Sequence, residues 1–183
     1  MDIKKTANLF ANFTIKRIAE ILGITVLSAG VLLLLALLTY SPEDPNFIFP
    51  ENTKIENILG FHGSFVSDLF FQSIGLVSYL FSFTLIVTGI NIIRSKEFFL
   101  IIENIFFAII YSLLGTLFFA HFYSEAFTLY INGNGGFIGA YLNQSFLNSI
   151  ILINEVIFYY LLIILNIFLF LISINFHPIK FYE

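Results

Sequence analysis

Residues 21–40 of this chain read ILGITVLSAGVLLLLALLTY, an apolar stretch without a charged side chain. A transmembrane helix needs about 20 such residues, because each residue adds about 1.5 Å and the hydrocarbon core of a bilayer is about 30 Å thick. An isolated strand would leave its backbone groups without hydrogen-bond partners in lipid. The stretch therefore predicts a helix that crosses a membrane.

Three further stretches have the same character. Residues 69–93 carry no charged side chain, and residues 98–120 and 150–176 carry a single acidic residue each. Across the whole chain 58% of residues are hydrophobic, only 11% are charged, and the mean hydropathy is +0.94. A typical soluble domain has about 25% charged residues. The sequence therefore predicts an all-α integral membrane four-helix bundle over residues 21–176.

The positive charges are predicted to lie on one side of the membrane. Seven of the eight lysine and arginine residues precede span one, occupy the turn 94–97 or follow span four: Lys4, Lys5, Lys16, Arg17, Arg94, Lys96 and Lys180. Cytoplasmic segments are enriched in these residues. Residues 1–20 are therefore a basic cytoplasmic N-terminus, residues 177–183 begin a cytoplasmic linker, and residues 41–68 and 121–149 are outer loops. The short turn also predicts that spans two and three are antiparallel neighbours.

The two outer loops are predicted to be partly structured. Ser41 either caps a short helix that has Pro42 at its first position, or lies in a turn that ends span one. Apolar residues between 55 and 71 recur at helical spacing, which predicts an amphipathic segment on the membrane boundary before span two. After a glycine-rich turn at 132–136, residues 137–146 predict a second interfacial helix.

Several function classes are excluded by what the sequence lacks. It has no cysteine, which excludes disulfides, thiolate metal sites and cysteine redox chemistry. It contains no GxxxxGKS or GxxxxGKT phosphate loop, no HExxH and no GxSxG. The glycines between 133 and 139 do not have the spacing of a dinucleotide-binding loop. No catalytic, cofactor-binding or metal-ligating residue is therefore predicted, and the chain is not expected to be an enzyme.

Two acidic residues within apolar stretches leave a second function open. Glu103 lies near the cytoplasmic end of span three, and Glu155 lies near the outer end of span four. An ionisable residue inside a span is a functional candidate, so a small transporter or channel subunit is the alternative. The apolar midplane favours an interfacial role instead. His121 and Glu125 have i, i+4 spacing but lack the third and fourth ligands of a structural metal site.

Small polar residues recur at a spacing of four on the predicted spans. The pairs are Ser78 and Ser82, Thr84 and Thr88, and Ser112 and Thr116. Small residues at this spacing allow helices to pack closely in lipid, so the pairs predict contacts between helices.

Three loop motifs carry a family resemblance. Residues 38–47 read LTYSPEDPNF, residues 57–80 read NILGFHGSFVSDLFFQSIGLVSYL, and residues 135–139 read GGFIG. In order along the chain, they are similar to motifs in the outer loops of the N-terminal membrane domain of FtsK/SpoIIIE-type DNA translocases. The matching positions are Ser41, Pro42, Asp44, Pro45, Gly60, Gly63, Asp68, Gln72, Gly75, Tyr79, Gly135, Gly136 and Gly139.

The resemblance covers roughly residues 15–175 and implies a function as well as a fold. In that family the domain anchors the protein at the division septum and contacts other cell-division membrane proteins. A linker and a hexameric ATPase motor that pumps DNA follow it, so the resemblance implies a homo-oligomer formed through a motor that this chain does not contain. The motif residues are expected to shape the loops or contact partners, without a cofactor or direct nucleic-acid binding.

The sequence also departs from the family pattern. The Trp and Arg residues that are common near these motifs are replaced here by Phe, Ser and Asn.

A scaffold subunit of another membrane complex is a third alternative function.

Overall fold

The structure is a computed structural model that describes residues 3–45, 54–124 and 131–176, with only the backbone of residues 3–7. The helices in these ranges are α1 (Ile3–Leu38), α2 (Gly60–Ile74), α3 (Ser78–Ser95), α4 (Leu100–Phe122), α5 (Gly136–Asn143), α6 (Phe146–Ile151) and α7 (Glu155–Ser173). A short 3-10 helix, Gly75–Val77, connects α2 to α3. No strand occurs in the described residues, and the predicted all-α class is confirmed. The predicted linker start at 177–183 lies outside them.

Four helical segments are long and apolar enough to cross a membrane: Asn8–Leu38, Gly60–Ser95, Leu100–Phe122 and Glu155–Ser173. The predicted number of membrane-crossing segments is therefore confirmed. However, α1 begins at Ile3 instead of near residue 21. Residues 3–22 contain neither glycine nor proline. Nothing in the local sequence therefore interrupts the helix at residue 21, where the apolar stretch begins. With 36 residues, α1 is about 54 Å long, which exceeds the hydrocarbon thickness.

The second predicted span is not one helix. The sequence predicts a single helix over 69–93, whereas α2 ends at Ile74 and α3 begins at Ser78. Gly75 separates them with a φ of 58° and a ψ of −141°, a conformation that residues with a Cβ atom rarely adopt. The apolar periodicity at 55–71 belongs to α2. The predicted amphipathic segment and the start of the predicted span therefore form one helix.

Two polar caps divide the chain before the fourth span. Asn154 Oδ1 accepts a hydrogen bond from the N–H of Ile157 at 3.1 Å, so α7 begins there and not at residue 150. Ser145 caps α6 in the same way, because its Oγ accepts from the N–H of Leu147 at 3.2 Å. The helix predicted over 137–146 therefore corresponds to α5, which ends at Asn143, and only its last residue lies in α6.

Helices α1 and α3 approach each other at glycines. A Cβ atom at Gly89 would lie 2.5 Å from the Leu27 nitrogen, and one at Gly30 would lie 2.8 Å from the Ile86 nitrogen. Such close packing drives helix association in lipid, where hydrocarbon provides no hydrophobic force between helices. The buried positions of α1 recur every three or four residues along this face: Ala19, Gly23, Val26, Gly30, Leu33 and Leu37.

Hydrogen bonds between buried side chains join α3, α4 and α7. Thr84 Oγ1 lies 2.9 Å from the Tyr111 hydroxyl and 3.2 Å from Ser173 Oγ. Asn104 Nδ2 donates a hydrogen bond to Thr88 Oγ1 at 2.9 Å. These contacts confirm that α3 and α4 are antiparallel neighbours. They also show that the predicted Thr84 and Thr88 pair bonds to neighbouring helices as well as packing closely.

Two contacts bring three chain segments to one end of the bundle. Lys96 Nζ lies 2.7 Å from Glu20 Oε1, which joins the turn 94–97 to α1. Asn91 Nδ2 donates to the carbonyl of Ile174 at 3.2 Å, which joins α3 to the C-terminal end of α7. We call this end the turn end. The opposite end, where α1 stops and α2, α5 and α6 lie, is the loop end.

We expect Gly30→Leu to separate α1 from α3, because the new side chain would overlap the α3 backbone. Overpacking of this kind costs about 1–3 kcal/mol, so the midpoint of thermal unfolding in detergent micelles should fall. Ser28→Leu places the same side chain on the exposed face of α1 and should leave the midpoint unchanged. Equal midpoints in the two variants would show that the contact between α1 and α3 does not limit stability.

Candidate functional site

The first loop motif is held by a buried aspartate. Asp44 is 2% exposed. Its Oδ1 accepts a hydrogen bond from the N–H of Glu56 at 2.7 Å, and its Oδ2 accepts one from the N–H of Asn57 at 2.9 Å. Charge-assisted bonds of this kind replace the water that a buried carboxylate loses. The Asp44 carboxylate therefore holds the two ends of the first loop together.

The residues around Asp44 form a turn. The N–H of Asp44 donates to the carbonyl of Ser41 at 3.2 Å, and Pro42 is exposed on the turn. Pro45 is buried, and its carbonyl accepts a hydrogen bond from Ser64 Oγ of α2 at 3.0 Å. Of the two alternatives for Ser41, the turn after span one is the one that forms.

Asn57 closes the C-terminal end of α1. Its Nδ2 donates to the carbonyls of Ala36 at 2.9 Å and Thr39 at 3.2 Å. The last carbonyls of a helix lack partners within the helix, and a buried helix end must find them elsewhere. A Cβ atom at Gly63 would lie 2.1 Å from Asn57 Oδ1, so glycine at 63 leaves room for this side chain. Gly60 begins α2, and its N–H donates to the carbonyl of Asn57 at 2.8 Å.

Asp68 and Gln72 link α1 to the second loop through α2. The Tyr40 hydroxyl at the end of α1 donates to Asp68 Oδ1 at 3.2 Å. Gln72 Nε2 donates to the same oxygen at 3.4 Å. In turn, Gln72 Oε1 accepts a hydrogen bond from Asn132 Nδ2 at 2.9 Å. Residues more than 90 positions apart along the chain are thereby connected through one polar chain.

Gly75 lies against the second loop. The N–H of Leu76 donates to the carbonyl of Asn134 at 2.9 Å. A Cβ atom at Gly75 would lie 1.9 Å from that carbonyl oxygen, and one at Gly136 would lie 2.7 Å from the Gly75 nitrogen. The break between α2 and α3 is therefore also the place where the second and third motifs meet.

The other two glycines of the third motif seat α5 on α4. A Cβ atom at Gly135 or at Gly139 would lie 2.4 Å from the carbonyl oxygen of Thr116. Asn134 Nδ2 also donates to the carbonyl of Tyr123, just after α4. The absence of side chains in the GGxxG motif allows this close approach.

The three motifs thus form one connected group at the loop end. We call it the loop cluster, and its polar and hinge residues are Asp44, Asn57, Asp68, Gln72, Gly75, Asn132 and Asn134. Sequence analysis does not single out the three asparagines as site residues. Locally, each of them is an asparagine near glycines in a loop, and many turns have this pattern. Their partners are distant along the chain and are known only from the fold.

The polar side chains of the loop cluster hydrogen-bond to other parts of the chain. Asp44 and Asp68 accept hydrogen bonds from neighbouring N–H and O–H groups. Among the described residues, no three His, Asp or Glu side chains come close enough together to hold a metal ion. His121 Nδ1 lies 3.0 Å from Asn143 Oδ1, and Glu125 lies outside the described residues. The cluster therefore fastens loops and helices to one another.

Glu103 and Glu155 lie at opposite ends of the bundle. Glu103 is in the first turn of α4 at the turn end, and Glu155 is in the first turn of α7 at the loop end. Both are exposed. Helix N-termini favour acidic side chains because the backbone N–H groups there carry partial positive charge. The structure therefore does not bring the two residues together.

Comparison with known families explains this combination of helices and loop motifs. A family model that describes the 4TM region of DNA translocase FtsK/SpoIIIE matches residues 15–182. This chain belongs to that family. The resemblance carried by the loop motifs is confirmed, and the chain is a multi-pass, membrane-anchoring module of the FtsK type.

A relationship to one DNA translocase is also found. The chain is similar to the DNA translocase FtsK of Rhizobium meliloti (strain 1021), with 26% identity over 98 residues. The match covers 54% of this chain and 11% of the relative, so the chain spans only a small part of the relative's length. No solved structure matches this FtsK-type module.

We expect Asp44→Ala to destabilise this FtsK-type module, because it removes both acceptors of the Glu56 and Asn57 N–H groups. Hydrogen bonds to charged groups contribute about 1.5–3 kcal/mol each, so the loss of both should be about 3–6 kcal/mol. Unfolding in mixed detergent and SDS micelles, followed by circular dichroism, measures it. Glu56→Ala removes an exposed carboxylate but keeps the N–H, and should change little. A similar loss in both variants would contradict the role assigned to Asp44.

A second pair of variants compares two glycines that differ in their surroundings. Gly60 and Gly75 both have positive φ, at 64° and 58°. A Cβ atom at Gly60 meets nothing within 4 Å, whereas one at Gly75 overlaps Asn134. We expect Gly60→Ala to cost about 1–2 kcal/mol from conformation alone. Gly75→Ala should cost more in the same unfolding assay, because its ψ of −141° is rare for a residue with a Cβ atom and its Cβ would overlap Asn134. An equal cost would contradict the role assigned to Gly75.

Proposed function

We propose that this chain is the membrane anchor and division-septum assembly module of a bacterial FtsK-type DNA translocase, through which cell division is coupled to chromosome segregation. The observation that carries the proposal is that the family motifs of both loops converge in the loop cluster. A cluster that fastens helices and loops suits an assembly module, because a rigid surface presents the same contacts to each partner. The motor that drives DNA would belong to the part of the translocase beyond this module.

The proposed topology follows from the charges at the two ends of the bundle. The turn end carries Lys16, Arg17, Arg94 and Lys96, and cytoplasmic segments are enriched in such residues. We therefore assign the turn end and both termini to the cytoplasm, and the loop end to the outer side of the inner membrane. In this orientation the C-terminal end of α7 leads toward a cytoplasmic motor and its DNA.

Exposed apolar side chains at the loop end support contacts with other cell-division membrane proteins. Ile58 is 68% exposed, Phe137 62% and Tyr141 68%. The rings of Phe137 and Tyr141 stack with centroids 6.5 Å apart on α5. Aromatic residues of this kind dominate protein contacts, because they bury a large area at low entropic cost. In the full translocase the module would also be part of a hexamer formed through the motor, without touching DNA itself.

A fluorescent fusion of residues 1–183 tests this function in dividing bacterial cells. We expect the fusion to collect at the division septum, and uniform membrane fluorescence would count against the proposal. The double variant Phe137→Ala and Tyr141→Ala should weaken septal collection, because it removes both exposed rings of α5. The double variant Ile164→Ala and Phe168→Ala changes exposed side chains of α7 and should collect normally. Equal loss in both would contradict the assignment of the contact surface to the loop end.

A further inference from the structure

An apolar groove of about 460 Å³ lies between α1, α2 and α3 in the loop half of the bundle. Its walls include Ala29, Leu33 and Ala36 of α1, Val66 and Phe70 of α2, and Leu85 of α3. Small-molecule sites have volumes of about 300–1,000 Å³, so the groove is large enough for a ligand. It is separate from the loop cluster, which lies beyond it at the end of α1.

The groove exists because small residues line it where α2 crosses α1. Ala29, Ala36 and Gly63 have short side chains or none, so the walls are recessed at these positions. Gly63 must remain small because Asn57 occupies the space next to it. The position of Asn57 in the loop cluster thus requires a glycine at 63, and this glycine helps to keep the groove open.

The lining of the groove selects an apolar ligand. Among the described residues that line the groove, the side chains are aliphatic or aromatic except for His62, which is exposed and lies near the start of α2 at the loop end. A polar or charged small molecule would lose its hydration without gaining hydrogen bonds from these walls. Leu32 lines the groove and is 50% exposed, so the groove opens sideways to the surrounding membrane.

The dimensions of the groove favour an acyl chain over a helix. From Ala36 to Ala29, the α1 residues that bound the groove, the helix rises about 10 Å, which lies within one leaflet of a 30 Å hydrocarbon core. A single extended hydrocarbon chain is much thinner than a helix of 10–12 Å diameter, so it can lie along a groove that is recessed only where small residues line it.

We propose that this groove is a lipid-binding site that holds one acyl chain of a phospholipid from the leaflet at the loop end. The chain lies between α1 and α2 with its terminal methyl group near Ala29 and Leu85. The headgroup lies at the mouth of the groove beside His62. The bound chain fills the gap between α2 and the pair α1 and α3, and so supports α2 beneath the loop cluster.

Photo-labelling of the chain in phosphatidylcholine nanodiscs tests the proposal. The probe is phosphatidylcholine with a diazirine near the end of one acyl chain, and adducts are mapped by mass spectrometry. We expect adducts on Leu33, Val66 and Leu85 to exceed those on Ile164 and Phe168 of α7 several-fold. The α7 residues report contact with bulk lipid, because they are exposed and line no groove. Equal labelling of the two sets would overturn the proposal.

A filled groove provides the matched control. Ala29→Phe places a ring inside the groove and should reduce labelling of Val66 and Leu85 several-fold while leaving α7 unchanged. Ser28→Phe places the same ring on the exposed face of α1 and should leave the groove labelling intact. If Ala29→Phe does not fold, Val66→Trp fills the groove from the facing wall and decides the question. Undiminished labelling in a folded, filled variant would overturn the proposal.

A competition arm identifies the source of the acyl chain. Excess unlabelled phosphatidylcholine should reduce groove labelling, since it carries both the chain and the headgroup. Excess oleic acid should compete less well, because it lacks the phosphate-containing headgroup. Competition by oleic acid alone would overturn the assignment to a phospholipid.

Discussion

The hydrocarbon core of a bilayer cannot hydrogen-bond to a polypeptide, and this constraint governs how the ends of the helices are built. Within a helix the backbone groups satisfy one another, but the last carbonyls of α1 have no partners in the helix itself. Asn57 donates to two of the carbonyls at this end, and Asp44 in turn accepts from the N–H of Asn57. A carboxylate and an amide thereby complete a helix end that water does not need to reach. The position of the first loop, and of α2 after it, follows from these bonds.

The bundle is held together by two different kinds of contact. Between α1 and α3, glycines allow the backbones to meet, and dispersion forces act over a long face. Among α3, α4 and α7, buried hydroxyl and amide groups such as Thr84 and Asn104 bond across the helices. The outer faces need no protein partner, because lipid covers them. This explains why Ile164 of α7 is 65% exposed although it is strongly apolar.

The loop cluster gives the family motifs a physical meaning. Gly63 makes room for Asn57, Gly75 makes room for the Asn134 carbonyl, and Gly139 allows α5 to approach α4. These three glycines therefore act through the residues that approach them closely. A module built in this way has a well-defined surface at the loop end and a basic opposite end. That division is consistent with a membrane-anchoring module of the FtsK type.

The sequence by itself determined the helical class, the number of membrane-crossing segments and the pairing of α3 with α4. These features depend on local properties, namely the transfer of apolar residues into lipid and the shortness of the turn 94–97. Only the tertiary structure decided the break at Gly75, the start of α1 at Ile3, and the partners of Asn57 and Asn134. Hydropathy sums the contributions of neighbouring residues and contains no information about backbone angles. The carbonyl of Asn134 that lies against Gly75 comes from a segment about 60 residues away, so only the folded chain brings the two together.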